Sequence, residues 1–437
     1  MTEKIPNYVV AIFFALVLIL FWAVTRIELL PDGSWQIVSP HVISGDEPHH
    51  LLVTNSLLFD HDFQLQNDYE RAKSGLESGG VILPDHHTIL VNRRDGRHGV
   101  WFDDHWDPDF QPGPDVYEVS SHPWAYPALL AAMVFPFRPR MDHVERDASG
   151  GVVVICWLGA IFTFLLARRV GMDRGDALFA TALLACASPW LGYTRSFFAE
   201  PAIGLSAAIS LWALEAERPY LTGAAAAAAA IFKPPLAVIG GGFGIDLAQR
   251  RRWHQLMQML VVLIVAGLAL VSINYYLART PIISGNGTGP WPIGDDTAQN
   301  FGELADTFLG GAHGLFVWVP WSIFAVFPIG WAFCKADAAP RFLREMSIPM
   351  ALQLLILSAS NFGPAVCFGP RYWVPFLPWM AVAAVYTFRS SGWFWKGTFA
   401  VFAVVSLGFA IFGALRYPQM YAASPWYLWH ALPPAPQ

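Results

Sequence analysis

Tyr8-Val9-Val10-Ala11-Ile12-Phe13-Phe14-Ala15-Leu16-Val17-Leu18-Ile19-Leu20-Phe21-Trp22-Ala23-Val24-Thr25-Arg26-Ile27-Glu28-Leu29-Leu30 is an almost unbroken apolar run. A helix needs about 20 such residues to cross a bilayer, so this run reads as a first transmembrane helix (residues 1–30 with its short Lys4-bearing head). It is too long for a typical signal-peptide core and no small-residue cleavage pattern follows, so it reads as a retained anchor. Beyond it stands Ser44-Gly45-Asp46-Glu47-Pro48-His49-His50. Two carboxylates and two imidazoles tethered to a helix end at the membrane–water boundary suit acid–base chemistry on a lipid-borne substrate. On spacing alone, a solvated acidic loop is the equal alternative.

Composition extends the membrane reading to the whole chain. The 437 residues are 55% hydrophobic and 14% charged, against about 25% charge in soluble domains. The expected fold class is an all-α polytopic membrane protein of about eleven transmembrane helices, organised as one domain. A net charge of −6 without a basic stripe excludes nucleic acid as a partner, and 19 Trp with 32 Phe suit aromatic belts at helix ends. Cys156 and Cys186 lie in apolar spans, Cys334 and Cys367 near span ends, which argues against a disulfide framework.

Residues 31–122 form the large first external loop. It holds sixteen Asp and Glu against five Lys and Arg, and nine of the thirteen histidines; this acidic balance favours the non-cytoplasmic side. Asn67 to Gly80 reads as a short amphipathic helix and Trp101 to Pro114 as turn-rich and irregular. The Asp103-Asp104-His105-Trp106-Asp107-Pro108-Asp109 run lacks the EF-hand glycine and glutamate spacing and reads as a solvated loop rather than a Ca²⁺ site.

Residues 123–415 form the remaining bundle, with apolar spans near 123–137, 150–168, 176–193, 200–215, 221–232, 235–247, 254–277, 313–334, 346–361, 371–388 and 397–415. Either 123–137 dips in and returns, or it crosses and 220–247 is one kinked helix. The first arrangement places Arg168, Arg169, Arg174, Arg250-Arg251-Arg252, Lys335, Arg341, Arg344, Arg389 and Lys396 inside. Asp46 and Tyr193–Pro201 then share the outer face. Both give eleven crossings, with residues 416–437 as an external tail. The alanine run Gly223–Ala230 reads as a helix contact. Lys233-Pro234-Pro235 interrupts two apolar half-spans; a lysine there faces a cavity or an anion, or snorkels to the interface. Residues 278–308, rich in Gly and Pro over Ser284–Gly294, read as a second external loop that forms a lid or cap.

Taken in order, Asp46-Glu47, Ser121-His122-Pro123-Trp124-Ala125-Tyr126-Pro127, Tyr193-Thr194-Arg195-Ser196-Phe197-Phe198-Ala199-Glu200-Pro201, Lys233-Pro234-Pro235, Ala312-His313-Gly314-Leu315-Phe316 and Gly369-Pro370-Arg371-Tyr372 resemble the GT-C superfamily of integral-membrane glycosyltransferases. The resemblance is to the bacterial branch near the aminoarabinose transferase and protein O-mannosyltransferase groups. It covers nearly the whole chain, although larger members append a soluble domain after the position of Arg416. It implies an inverting sugar transferase of the inner membrane, multi-pass, with its active site on the periplasmic face. The donor would be a polyprenyl-phosphate sugar held at the bilayer surface, and the acceptor a lipid or glycan hydroxyl.

The same resemblance suggests roles. Asp46 is the expected base, with Glu47 sharing that role or binding a divalent ion. Glu200 orients the acceptor, binds metal, or stabilises a helix N-terminus with Pro201 at N1. Asp46 with Glu200 is the candidate divalent-ion pair (Mg, Mn or Ca). Lys233, Arg371, Tyr372 and Arg195 are the expected donor-phosphate residues, Arg195 alternatively being an interface snorkel. His122, His49 and His50 are candidate substrate-binding residues, and His49, His50 and Asp46 a weaker transition-metal set. His313 reads as an interface residue. A transporter or flippase for a lipid-linked or anionic substrate is the competing reading, since broken apolar spans suit one; no inverted repeat is visible. An oligosaccharide ligase or phosphoglycosyl transferase keeps the scaffold and changes the reaction.

Overall fold

The first apolar run folds in two parts. The computed structural model describes residues 5–30, 33–38, 46–73, 87–92, 94–102, 105–106, 115–139, 144–283, 297–359 and 369–416. In it, helix α1 spans Asn7–Val24. Thr25 turns its hydroxyl back onto the Trp22 carbonyl at 2.8 Å. The chain then leaves as strand β1 (Ile27–Leu29), antiparallel to β2 (Trp35–Ile37). The expected helix to Leu30 is therefore corrected to end at Val24: β-branched residues at 25 and 27 and a Gly33 turn at φ +82° favour the hairpin.

The polar segment is more regular than its turn residues suggest. Helix α2 (Asp46–Asn55) runs into a π-turn at Ser56–Asp60 and is followed by α3 (Gln66–Lys73). Strands β3 (His87–Asn92), β4 (His98–Phe102), β5 (His105–Trp106) and β6 (Val116–Ser120) form an antiparallel sheet in the order β5-β4-β3-β6. This corrects both the irregular reading of Trp101–Pro114, in part, and the expectation of an all-α chain. The helix expected over Asn67–Gly80 is described only to Lys73. Most of the acidic run 103–109, the glycine-rich stretch 284–294 and the tail 417–437 lie outside the described residues.

The bundle follows as α4 (Ala125–Val134), α5 (Val144–Arg169), α6 (Arg174–Cys186), α7 (Trp190–Tyr193) and α8 (Glu200–Glu215), then α9 (Pro219–Phe232), α10 (Val238–Gln249) and α11 (Trp253–Ala278). It continues with α12 (Thr297–Leu309), α13 (Leu315–Trp318), α14 (Ile323–Cys334), α15 (Arg341–Ala359), α16 (Leu377–Ser390) and α17 (Trp393–Leu415). Helix α12 replaces the second half of the loop expected over 278–308. Among the described residues, α1, α5, α11 and α17 are long and apolar enough to cross a membrane by length and composition. The apolar helices at 125–137, 219–232 and 320–334 are shorter. Much of α11 shows apolar side chains to its surroundings, among them Val261, Ile264, Val265 and Leu268, as a lipid-facing helix does.

Short helices are what position the site. Lys233 breaks α9 with an extended backbone (φ −153°, ψ 103°). A Cβ at Gly240 would stand 3.6 Å from Ala226, residues equally far either side of Lys233. The chain therefore reverses there, so 220–247 is two antiparallel helices and not one kinked span. Gly223 similarly lies against Met259 and Val262. From that level α11 runs about ten residues, ~15 Å, farther than α9. The loop sheet rests on this projecting end: Ile89, Val91 and Val119 cluster with Ala278 and Ile283, and Tyr117 donates to the Leu277 carbonyl at 2.8 Å. Charges tie the opposite end of the bundle. Arg250 meets Asp246 at 3.0 Å and Glu345 at 3.1 Å, Arg341 meets Glu345 at 2.8 Å, and Arg344 meets Asp246 at 3.1 Å.

Candidate active site

The N-terminus of α8 is the floor of the site, and a tryptophan wedge sets its position. Trp190 is fully buried, with its indole N–H donating to the Cys156 carbonyl at 3.1 Å. Gly159 and Gly204 admit it: a Cβ at either would stand 2.4 Å and 2.7 Å from the indole. The turn from Trp190 to Ala199 is thereby held between α5 and α8, and Glu200 opens α8 with Pro201 directly behind it, where proline's missing N–H costs nothing. Glu47 of α2 reaches across and accepts the Phe197 backbone N–H at 2.8 Å. Its carboxylate is buried and fastens the external loop to this turn.

Four charged side chains from distant parts of the chain meet above that floor. Lys233 donates to Glu200 Oε1 at 2.8 Å. Arg371 donates its Nε to the same oxygen at 2.7 Å and pairs through a terminal nitrogen with Asp46 Oδ2. Arg371 enters from a 3-10 turn, Arg371–Phe376, just after Gly369 at φ +62°; His313 holds this turn by donating to the Gly369 carbonyl at 3.2 Å. The guanidinium also lies 4.2 Å over the Phe198 ring, and Lys233 lies 5.8 Å over the Tyr372 ring, contacts that suit cations held out of water. Arg371 is 9% exposed and Glu200 2%, whereas Asp46 is 26% exposed. With Lys233 at 17%, Asp46 and Lys233 are the members of the cluster most open to a substrate.

Burial would raise the Asp46 carboxyl, but Arg371, His122, Lys233 and His50 together hold it well below the usual carboxylate range. Behind it lies a buried imidazole group. His49 stacks on His122 at 5.1 Å between ring centres and bonds Tyr69 Oη through Nδ1 at 2.9 Å. His50 stands edge-on to Tyr126 at 5.2 Å, and burial pushes it down to about 4, so it is neutral at pH 7.

As the chain stands, Asp46 and Glu200 hold the protein's own cations. Asp46 and Glu200 are bridged by a guanidinium, Glu200 also carries Lys233, and among the described residues no three His, Cys, Asp or Glu side chains converge as ligands. His49 is turned to Tyr69 and His122. Arg195 is also placed differently from the expected phosphate clamp. Its guanidinium donates to the Ile27 carbonyl at 3.1 Å and the Ala414 carbonyl at 2.8 Å, and stands 3.9 Å from Glu28. It ties β1 to the end of α17.

The same arrangement of helices occurs in solved structures. ArnT from Cupriavidus metallidurans in the apo state matches 92% of this chain and 63% of its own, with a TM-score of 0.53 and 15% identity. ArnT bound to undecaprenyl phosphate matches 93% of this chain and 65% of its own, with a TM-score of 0.53 and 13% identity. The oligosaccharyltransferase of Archaeoglobus fulgidus in the apo form matches 97% of this chain and 57% of its own, at 0.51 and 11%. The chain has the fold of ArnT and of this oligosaccharyltransferase. The chain spans a little under two thirds of the ArnT chains it matches, and at these identities the likeness is one of fold. No protein-family model and no curated protein matches the sequence.

Within this fold, Asp46, Glu200, Lys233 and Arg371 come together, with Tyr372 beside Lys233 and His122 and His50 behind Asp46. Sequence reasoning missed Phe198, Tyr126 and Gln353. The first two stood inside motifs already singled out; Gln353 had its own signal, a lone polar residue in an apolar span.

Proposed function

We propose that the chain is an inverting glycosyltransferase that moves a sugar from a polyprenyl-phosphate donor to an acceptor hydroxyl, on the external face of the inner membrane. The observation that carries the reading is the meeting of two cations and two carboxylates at the ends of short helices, below the level that α11 reaches. A polyprenyl tail partitions into lipid and brings its phosphate to that depth. The undecaprenyl phosphate in ArnT supports this choice of carrier.

The donor phosphate competes with Asp46 and Glu200 for Lys233 and Arg371. Losing Arg371 to the phosphate removes the largest charge that keeps Asp46 acidic, so donor binding makes Asp46 a better base. The acceptor oxygen then attacks the anomeric carbon as its proton passes to Asp46. The carbon–oxygen bond to phosphate breaks, its electron pair stays on the phosphate oxygen, and the two cations stabilise that charge. The products are the glycosylated acceptor and polyprenyl phosphate. Glu200, buried under both cations, keeps them in place. Only one base is required for a single displacement, unlike the paired carboxylates of retaining hydrolases.

Assay of Asp46→Asn with undecaprenyl-phosphate sugars in liposomes tests this. Turnover falls about 100- to 10,000-fold, the usual worth of a general base, while undecaprenyl phosphate still binds. If the variant instead carries the lipid-linked sugar across the bilayer as well as the wild type does, the protein is a transporter.

A further inference from the structure

The pocket that holds the two cations has one polar wall the chemistry above leaves unused. Gln353 of α15 is 3% exposed and borders this pocket with Glu200, Lys233, Arg371, Tyr372 and Leu236. It is the only polar residue between Ile348 and Leu357. Its place is fixed by a close helix contact: Gly242 of α10 lets Pro349 of α15 approach to where a Cβ would stand 2.5 Å from the ring. Gln353 sits one helical turn farther along the same face. Among the described residues its Oε1 is buried without a hydrogen-bond partner. Such a buried, unmatched carbonyl is destabilising unless something fills it, and a polar side chain in an apolar helix marks a substrate path.

What the oxygen lacks identifies what it takes. Oε1 only accepts, so its partner must bring an O–H or N–H. An ionised phosphate has none to give and a prenyl tail has none at all. The remaining part of the donor, the sugar, carries several. We infer that Gln353 reads a hydroxyl or amino group of the donor sugar, one ring away from the phosphate held by Lys233 and Arg371. This rests on the polyprenyl-phosphate reading. It makes Gln353 a specificity-determining residue, because a site built to hydrogen-bond a substrate hydroxyl discriminates far more strongly against an analogue lacking it than an apolar pocket does.

The test compares undecaprenyl phosphate with undecaprenyl-phosphate hexoses and their monodeoxy analogues, binding each to the full chain in detergent. The wild type binds one hexose about tenfold tighter than bare undecaprenyl phosphate, the worth of one good hydrogen bond, and loses that gain with a single deoxy analogue. Gln353→Leu, and Gln353→Met as a second variant of different shape, abolish the gain but keep affinity for bare undecaprenyl phosphate within about twofold. Two results in the variants overturn the inference. One is a preference that survives in both variants. The other is an equal loss for bare and glycosylated carriers, which places the amide on the phosphate or makes it structural. A wild type that binds undecaprenyl phosphate with no sugar preference also overturns it while sparing the transferase reading. A wild type that does not bind the carrier overturns both.

Discussion

Replacing Arg371 by methionine removes a side chain that pairs with both Asp46 and Glu200. Truncating one member of a buried ion pair costs about 3–5 kcal/mol. Here Glu200 keeps Lys233 at 2.8 Å and Asp46 is 26% exposed, so the stability loss falls to ~2 kcal/mol. The effect on binding is separate. One charged hydrogen bond to a phosphate is worth about 1.5–3 kcal/mol, so undecaprenyl phosphate binds Arg371→Met about 10- to 150-fold more weakly. Arg371→Lys falls between, because an ammonium keeps the charge but not the fork that spans two partners. The double variant Arg371→Met with Asp46→Asn regains stability, since no unpaired carboxylate remains, but regains no affinity. Titration in detergent by tryptophan fluorescence, with thermal unfolding alongside, measures both. A folded Arg371→Met protein that binds the carrier within about twofold of wild type refutes the phosphate role. A double variant no more stable than the single refutes the pairing with Asp46.

Three further outcomes follow from the same geometry. His50 is held neutral with its pKa near 4 instead of 6.5, so the unfolded chain binds a proton there that the folded chain does not. Its contribution is complete above pH 6.5 and is lost as pH falls toward 4; between pH 6.5 and 5 the loss is ~2 kcal/mol. Asp46, also depressed, adds its loss only below its ordinary value of 3.8. Melting temperatures at about pH 7 and pH 5 show the drop in wild type, and His50→Phe flattens it. Gly159→Ala or Gly204→Ala drives a methyl into the Trp190 indole, costs about 1–3 kcal/mol, and lowers melting temperature and transfer together; unchanged values would mean Trp190 does not brace the turn. Chelation with EDTA leaves undecaprenyl phosphate affinity within about twofold because Lys233 and Arg371 supply the positive charge. A larger loss, restored by a divalent ion, points to a metal in that role.

Much of this architecture was readable because charge in an apolar sequence is expensive. Lys233 between two apolar half-spans, Glu200 at a helix start and Arg371 at a span edge each announce a place where the helix stops and a partner is required. Arg195 carried the same signal, yet it satisfies its guanidinium on the Ile27 and Ala414 carbonyls. A buried cation implies partners without saying whether they are carboxylates or backbone. The end of α1 was hidden because Ile27 and Leu29 are equally apolar in a strand or a helix. The loop sheet was masked by turn residues, although Ile89 and Val91, and Tyr117 and Val119, alternate as strand residues do. Which side chains converge depends on contacts between positions as far apart as Asp46 and Arg371, and local pattern does not encode those.

The most direct test is a structure of the protein with undecaprenyl phosphate bound in a lipid nanodisc, by electron microscopy. The account predicts the phosphate within about 3 Å of both Lys233 Nζ and the Arg371 guanidinium, the range of charged hydrogen bonds, with Asp46 released from Arg371 and facing the phosphate oxygen that carries the sugar. A phosphate bound elsewhere, with the Asp46–Arg371–Glu200–Lys233 cluster intact, contradicts it.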